Sequence, residues 1–348
     1  MNLRIFGVPF GTTAVGLIGA LLIGGWEAFA LVAILSVLEI SLSFDNAVVN
    51  AKVIERMSQF WQRMFLTIGI LIAVFGMRLA FPLLIVGITA QLSPAEAISL
   101  AVNDPAGYGA RLHEAHPMIA AFGGMFLLML FLDFVFEEHD FTWLAWLERP
   151  LARIGKLDQL SVAVALVVLV TTTTQLLAEP GPALIAGVLG IVTYLLVNGL
   201  GELFQEEGGE PGIAYATGRA GFFLFLYLEV LDASFSFDGV IGAFAISDNL
   251  FVITAGLGIG AMYVRALTIY LVRRGTLSKY VHLEHGAHWA IGALAVIMVL
   301  SFGFTVPEVV TGLIGLCFIG TAMITSTIHR RSVPSPSDET PAMTAAKS

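Results

Sequence analysis

The sequence predicts an all-α, polytopic membrane protein with about ten transmembrane helices, arranged as two inverted repeats of five helices. Three observations support this fold class. Of the 348 residues, 57% are hydrophobic and only 12% are charged. The mean hydropathy of +0.88 lies well above the range of soluble globular proteins. A short motif with two acidic residues occurs twice, once in each half of the chain.

Ten apolar runs are long enough to be spans, because a helix needs about 20 apolar residues to cross the hydrocarbon core of a bilayer. They are residues 7–25, 28–51, 64–88, 118–137, 158–178, 182–204, 219–245, 249–272, 287–304 and 307–328. The first run follows Arg4 and resembles a signal peptide, but a second run begins at once, so we predict an uncleaved span. We expect one transmembrane domain, residues 1–328, followed by a disordered, Pro/Ser-rich cytoplasmic tail at residues 329–348.

The basic residues predict the orientation of the spans. Of the 17 Lys and Arg residues, fourteen lie at the termini or in loops after even-numbered spans. The loops after odd-numbered spans contain only Arg111, and the remaining two, Arg78 and Arg265, fall inside spans. Because Lys and Arg concentrate on the cytoplasmic side of membrane proteins, both termini are predicted to be cytoplasmic.

The acidic motif links the two halves of the chain. The stretch VLEISLSFDNAVVNA at 37–51 aligns with VLDASFSFDGVIGAF at 230–244, with Glu39 opposite Asp232 and Asp45 opposite Asp238. By the predicted topology the two copies run in opposite directions, so the repeats are about 7–178 and 182–328. Inverted repeats are typical of secondary transporters, whose substrate site lies near the bilayer midplane where the repeats meet.

The chemistry of the motif indicates a cation site. A charged side chain at the centre of a span costs at least roughly 2.5–3.5 kcal/mol, so intramembrane acids need a function or a compensating cation. Carboxylate, amide and carbonyl oxygens suit Mn²⁺, Mg²⁺ or Ca²⁺. The predicted metal ligands are Glu39, Asp45, Asn46, Asp232 and Asp238.

Two features of the motif bear on how such a site would form. Glu39 and Asp45 are separated by about 120° around an ideal helix, so both can face one ion only if the helix is unwound near Ser43. Ser41 and Ser234 precede the two aspartates by four residues, which places each serine on the same helix face as its aspartate. They are predicted as secondary members of the site.

Arg78 and Arg265 leave an alternative open for the acids. Each follows one copy of the motif in the next span, so the acids could instead form buried ion pairs with these arginines. Each half also has a His-x-x-His pair, His113 with His116 and His285 with His288. These pairs would either handle metal or protons at the two faces or, more simply, anchor the ends of helices.

Composition limits the partners. The formal charge of −9 is not accompanied by a basic stripe, which argues against a nucleic-acid partner. The single cysteine, Cys317, can form neither a disulfide framework nor a Cys-based metal site. We therefore expect the lipid bilayer as surroundings, a metal ion as substrate and no tightly bound cofactor. No oligomeric state follows from the sequence.

The motif also resembles a known family. The stretches VLEISLSFDNAVV and EVLDASFSFDGVIGAF, with LEHGAHWAIGALAVIM at 283–298, resemble the TerC superfamily of integral membrane proteins, in particular a branch of unknown function. The resemblance extends to residue 328, and the paired acids are its specific part. TerC proteins are associated with tellurium resistance and manganese efflux, and are grouped with exporters of cations and amino acids. Gly239 stands where the first copy has Asn46, so the two half-sites need not contribute equally.

The resemblance implies a metal-ion transporter, with Mn²⁺ favoured, in a bacterial inner (plasma) membrane. Other functions stay open. The acids could bind the ammonium group of a cationic or zwitterionic organic solute such as an amino acid. An intramembrane hydrolase built on the histidine pairs is disfavoured, because the predicted topology puts the pairs on opposite faces, so no enzyme activity is expected. A purely structural, partner-binding role would leave the repeated carboxylates without a purpose.

Overall fold

A computed structural model describes residues 3–139, 141–157, 159–206, 216–244, 246–247, 249–304 and 306–332. These residues are almost entirely helical, and their only β-type pairing is one isolated bridge between Met57 and Ala216. The helices are α1 (Leu3–Leu42), α2 (Phe44–Glu55), α3 (Gln59–Leu71), α4 (Phe81–Thr89), α5 (Pro94–Asn103), α6 (Pro105–Phe136), α7 (Ala145–Ile154), α8 (Leu160–Leu176), α9 (Gly181–Glu206), α10 (Gly218–Ala243), α11 (Leu250–Arg273), α12 (Thr276–Lys279), α13 (Leu283–Leu300) and α14 (Glu308–Ser332).

Eight helical segments in the described part of the chain are long and apolar enough to cross a membrane. The first, Ile5–Leu42, covers the first predicted span and the part of the second that precedes Ser43. Gly25 divides it, because its φ of 68° lies in the left-handed region that favours glycine. The shorter apolar helix Leu160–Leu176 coincides with the fifth predicted span. The prediction of a polytopic helical membrane protein is therefore confirmed.

Inner and outer helices are distinct. Four helices are mostly buried within the protein, namely α6, α10, α11 and α13. The segments Ile5–Leu42, Gln59–Thr89, Pro180–Leu200 and Val310–His329 are mostly exposed. Because the exposed segments are as apolar as the buried ones, their outer surface is suited to lipid rather than water.

The first copy of the acidic motif lies at an interruption between two helices. α1 ends at Leu42 and α2 begins at Phe44, while Ser43 between them has the non-helical angles φ −96° and ψ 20°. The helix thus departs from regular geometry at Ser43, the position where a shared ion would require it, although Ser43 N still donates to Glu39 O at 3.0 Å. The second copy differs, because α10 continues through the matching serine, Ser236, without a break.

Glycines allow α1 to approach α11 closely. Gly256 and Gly260 on α11 are four residues apart, the small-xxx-small spacing of tightly packed membrane helices. A methyl group built on Gly260 would lie 2.4 Å from Glu39 Cβ, and one on Gly256 would lie 2.5 Å from Leu35 Cβ. This packing holds the Glu39 end of α1 directly against α11.

The C-terminal boundary differs slightly from the prediction. α14 continues to Ser332, beyond the residue at which the tail was expected to begin. Arg330 and Arg331 therefore belong to the last turn of the helix, where the helix dipole favours basic residues. The remaining predicted tail, residues 333–348, lies outside the described residues.

Candidate cation site

Glu39 forms a buried ion pair with Arg78, which lies in the π-helical turn Ile72–Ala80 between α3 and α4. Both side chains are almost completely excluded from solvent. Glu39 Oε1 accepts from Arg78 Nη2 and, at 3.3 Å, from Ser43 Oγ. Arg78 Nη1 donates to the backbone oxygen of Ala73 at 2.8 Å. The π-helical turn thus delivers a guanidinium group to the first acid of the motif.

Asp232 forms the corresponding pair in the second half. Arg265 Nη2 donates to Asp232 Oδ2 at 2.7 Å and to Glu229 Oε2 at 3.0 Å, while Nη1 donates to Glu229 Oε1 at 3.0 Å. The guanidinium group also lies 4.1 Å from the centre of the Phe65 ring. The ion-pair alternative therefore holds for Glu39 and Asp232, with one arginine for each copy of the motif.

Asp45 is the exception among the described acids of the motif. Its side chain is 8% exposed. The carboxylate lies in the first turn of α2, where the helix dipole favours an anion, and Oδ1 accepts from the Asn46 backbone N–H at 2.9 Å. In the described part of the chain, no basic side chain pairs with it. Among the described side chains, Asp45 is therefore a buried carboxylate with no basic partner.

The two copies of the motif meet at Glu39. A methyl group built on Gly239 of α10 would lie 3.2 Å from Glu39 Oε2, so this oxygen faces the second copy while Oε1 faces Arg78. Asp45 Oδ2 lies against α14, 2.9 Å from a methyl group built on Gly315. The side chain of Asp238, the fourth predicted acid, lies outside the described residues.

The buried charges of this region do not balance. Apart from Glu148 of α7, which contacts His285, the described buried carboxylates are those of Glu39, Asp45, Glu229 and Asp232, against the two guanidinium groups of Arg78 and Arg265. Fully ionised, they leave two negative charges in the interior. No group of three or more His, Cys, Asp or Glu side chains among the described residues could hold a metal ion. The described acids therefore provide excess charge rather than a closed ligand cage.

The remaining predicted ligands occupy different surroundings. Asn46 is buried beside Asp45. Ser234 is also buried, and its hydroxyl donates to the Val230 oxygen at 2.9 Å. Ser41 is exposed, and its hydroxyl donates to the Val37 oxygen of its own helix at 2.7 Å. The helix ends before Asp45, so the shared face that the Ser41–Asp45 spacing predicts is not formed.

A family match adds to this geometry. A family model described as a protein of unknown function, DUF475, matches residues 44–333. This chain belongs to the DUF475 family. No curated protein and no solved structure matches it. The match begins at α2 and includes Asp45, Arg78 and the whole second copy of the motif.

One histidine of the second pair, His285, anchors α7 in this DUF475 protein. His285 Nδ1 lies 3.2 Å from Glu148 Oε1, and Trp289 Nε1 donates to the same oxygen at 3.1 Å. The backbone N–H groups of Trp143 and Leu144 donate to the Glu148 carboxylate as well. Burial raises the pKa of Glu148, but the hydrogen bonds from His285 and Trp289 outweigh it and lower the pKa to about 2. His285 therefore anchors a helix.

The other predicted histidines do not join this anchor. His288 stacks on Phe134, with ring centres 3.8 Å apart, and its Nδ1 lies 2.8 Å from the Glu284 backbone oxygen. His113 and His116 stack on each other near the start of α6, with centres 6.3 Å apart. Because Phe134 ends the same helix, the two histidine pairs lie about 30 Å apart at 1.5 Å per residue. They cannot form one site.

A cavity of about 270 Å³, lined by both polar and apolar side chains, lies beside the second half of α2. Val49 and Val53 of α2 line one side, and residues of α6, α9, α10 and α13 complete the wall. The charged lining side chains carry both signs, and include Lys52, Arg56, Asp133, Glu137 and Glu284. Lys52 Nζ pairs with Glu284 at 2.7 Å, and the Tyr194 hydroxyl donates to Asp133 at 2.7 Å.

Sequence reasoning missed three buried polar residues of this DUF475 protein. Glu229 stands opposite Ser36 in the alignment of the two copies, so the repeat gave no signal for it. Glu148 lies in a short amphipathic helix outside the spans, where an acid is unremarkable by sequence. Asn50, one turn after Asn46, carries no charge that would draw notice in an apolar run. The spacing of four residues between Asn46 and Asn50 was the sequence feature that could have identified Asn50.

Proposed function

We propose that this protein is a membrane transporter that exports a divalent metal cation, with Mn²⁺ favoured, through a site at the interface of two inverted repeats. The observation that carries the proposal is Asp45, a buried carboxylate with no basic partner among the described residues. An ionised carboxylate in the membrane interior is unfavourable unless a cation or a proton neutralises it. A transported cation would provide that charge.

The charge balance favours a divalent ion. Apart from Glu148 on α7, four described carboxylates and two arginines are buried, and the difference of two negative charges equals the charge of one divalent cation. Carboxylate and amide oxygens at Asp45 and Asn46 are hard donors suited to Mn²⁺, Mg²⁺ and Ca²⁺. Mn²⁺ is favoured because of the resemblance of the motif to the TerC superfamily.

Glu39 would link the ion pair to the site. Oε1 is held by Arg78 and Ser43, whereas Oε2 faces Gly239 in the second copy of the motif. Arg78 would orient Glu39 so that Oε2 is free to bind the ion. Asp238 is proposed to approach the same region from the second copy, and protons would replace the ion at the carboxylates after release.

Flux of Mn²⁺ into proteoliposomes tests the proposal. The wild-type protein is expected to move Mn²⁺, while Asp45→Asn and Asp238→Asn lose the flux because an amide cannot supply the negative charge. The matched control is Asp104→Asn, since Asp104 is an exposed helix cap whose Oδ1 accepts from Gly107 N at 3.0 Å, a bond that an amide oxygen also makes. Unchanged flux in both motif variants would show that the carboxylates do not carry the ion.

One observation favours a second candidate, the export of a small zwitterionic solute. The cavity beside α2 presents basic and acidic side chains together, among them Arg56 and Asp133, and its volume suits only a small molecule. A competition assay separates the two candidates. An excess of amino acids leaves Mn²⁺ flux unchanged if the substrate is the metal, whereas amino-acid uptake that Mn²⁺ fails to inhibit would favour the organic solute.

A further inference from the structure

Asn50 is the most unusual polar side chain in the described interior. It is 0% exposed, and neither its Nδ2 nor its Oδ1 has a hydrogen-bond partner in the part of the chain that the structure describes. Leaving a buried polar group unpaired costs roughly 1–3 kcal/mol, and the Asn50 amide has two such atoms. A buried side chain with this energetic cost indicates a bound occupant beside it that is not part of the protein.

The position of Asn50 on α2 indicates what that occupant is. Asn46 and Asn50 are four residues apart, so they lie on one face of α2, separated by about 6 Å along the axis. Val49 and Val53, which line the cavity, lie about 100° and 60° from Asn50 around the same helix. Along the axis of α2, Asn50 therefore lies between the buried carboxylate of Asp45 and the cavity-lining Val53.

We propose that Asn50 is a transit ligand that passes the transported cation between the cavity and Asp45. This inference rests on the proposed cation transport and adds a residue and a route to it. The amide oxygen is a hard donor of the type that divalent cations take, and the amide nitrogen donates to a water carried with the ion. The two unpaired atoms are thereby both satisfied during passage.

The second copy of the motif makes the route one-sided. The residues that match Asn46 and Asn50 are Gly239 and Ala243, which carry no amide. An ion that leaves the carboxylates along α10 thus meets no equivalent ligand. The amide pair therefore serves the half of the path that ends at the cavity lined by Lys52 and Glu284.

Asn50→Leu provides the test, because it removes the polar atoms while keeping the approximate side-chain volume. Mn²⁺ flux in proteoliposomes is expected to fall at least about tenfold, while the melting temperature in detergent stays equal to or above the wild-type value, because an unpaired buried amide is lost. Asn50→Asp keeps the oxygen donors, and its half-saturating Mn²⁺ concentration is expected to fall at least about threefold.

The outcomes separate this inference from the proposed function. Wild-type flux that Asp45→Asn abolishes and Asn50→Leu preserves overturns the transit role alone, and means that Asn50 holds an ordered water only. Absence of metal flux in the wild-type protein overturns both. If Asn50→Leu does not fold, an unchanged half-saturating concentration in Asn50→Asp overturns the inference. Thr173→Val is the matched control, since Thr173 is equally buried but already bonded to the Leu169 oxygen at 2.6 Å, and it should leave flux unchanged.

Discussion

At the scale of single residues, the pairing of Glu39 with Arg78 and of Asp232 with Arg265 is compatible with a role in transport. A buried ion pair contributes little net stability, because the loss of hydration offsets the attraction between the charges. Both arginines also keep an unpaired, buried Nε among the described residues. The two ion pairs therefore serve to position the Glu39 and Asp232 carboxylates rather than to stabilise the fold.

The Glu39–Arg78 pair can be dissected by substitution. Arg78→Met leaves Glu39 buried and uncompensated, and is expected to destabilise the protein by about 3–5 kcal/mol. The double variant Glu39→Gln, Arg78→Met removes both charges and should regain most of the lost stability. Mn²⁺ flux in the double variant is expected to be abolished, because the Glu39 carboxylate is gone. Thermal unfolding in detergent and the proteoliposome assay measure the two effects.

The control for the Glu39–Arg78 pair is an ion pair at the protein surface. Arg111 lies 3.7 Å from Glu114 with both side chains more than half accessible, so Arg111→Met should change stability by less than about 1 kcal/mol. A double variant as unstable as Arg78→Met alone would mean that Arg78 acts through packing and its bond to Ala73 rather than through Glu39.

At the residue scale, the sequence could predict site residues that are charged and that recur in both copies of the motif. Glu39, Asp45 and Asp232 were visible because acids are rare in apolar runs and because the two copies align. Which acids pair with arginine was not visible, because it depends on the helix that faces each carboxylate. Asn50 escaped notice because burial without a partner is a property of packing.

At the scale of elements, α2 and α7 show how short helices position polar groups. The interruption at Ser43 follows from a sequence argument, since Glu39 and Asp45 diverge on a regular helix. The docking of α7 has no such signal, because Glu148 contacts His285 and Trp289, which lie far along the chain. The contact with Glu148 shows that His285, one histidine of the second pair, serves to anchor α7.

The Glu148 anchor predicts a pH dependence. The pKa of Glu148 is lowered from 4.5 to about 2, so the folded state favours the ionised carboxylate. Its contribution to stability is complete above pH 4.5 and is lost as the pH falls towards 2. The melting temperature of the wild-type protein is expected to decrease across this interval more steeply than that of Glu148→Gln.

The comparison requires an exposed acid as control. Glu138 pairs with Lys156 at 2.9 Å, with both side chains about two-thirds accessible, so Glu138→Gln should leave the acid dependence close to that of the wild type. If Glu148→Gln loses stability over the same interval as steeply as the wild type, then another group controls the acid response.

At the scale of the whole molecule, apolar length was sufficient to predict the spans. Nine of the ten predicted runs lie on an apolar helix, whereas the run 28–51 is divided at Ser43 between α1 and α2. The agreement arises because the hydrocarbon core demands a length that few soluble helices have. The cavity beside α2 was beyond sequence reasoning, because five separate helices line it. The inverted arrangement of the two halves stays a prediction from the distribution of Lys and Arg.

Cysteine labelling tests that arrangement at the ends of the helices that bear the motif. In a Cys317→Ser background, Gln59→Cys lies just beyond α2 and Ile246→Cys lies just beyond α10, and both positions are exposed. Inverted repeats place these ends on opposite faces, because the copies lie on the second and seventh predicted spans, which run in opposite directions. With a membrane-impermeant maleimide, Ile246→Cys is expected to react in intact cells and Gln59→Cys only after permeabilisation, as is the exposed control Arg153→Cys. Labelling of Gln59→Cys and Ile246→Cys from the same side would make the two copies parallel, and a site shared by opposed half-sites would then lose its structural basis.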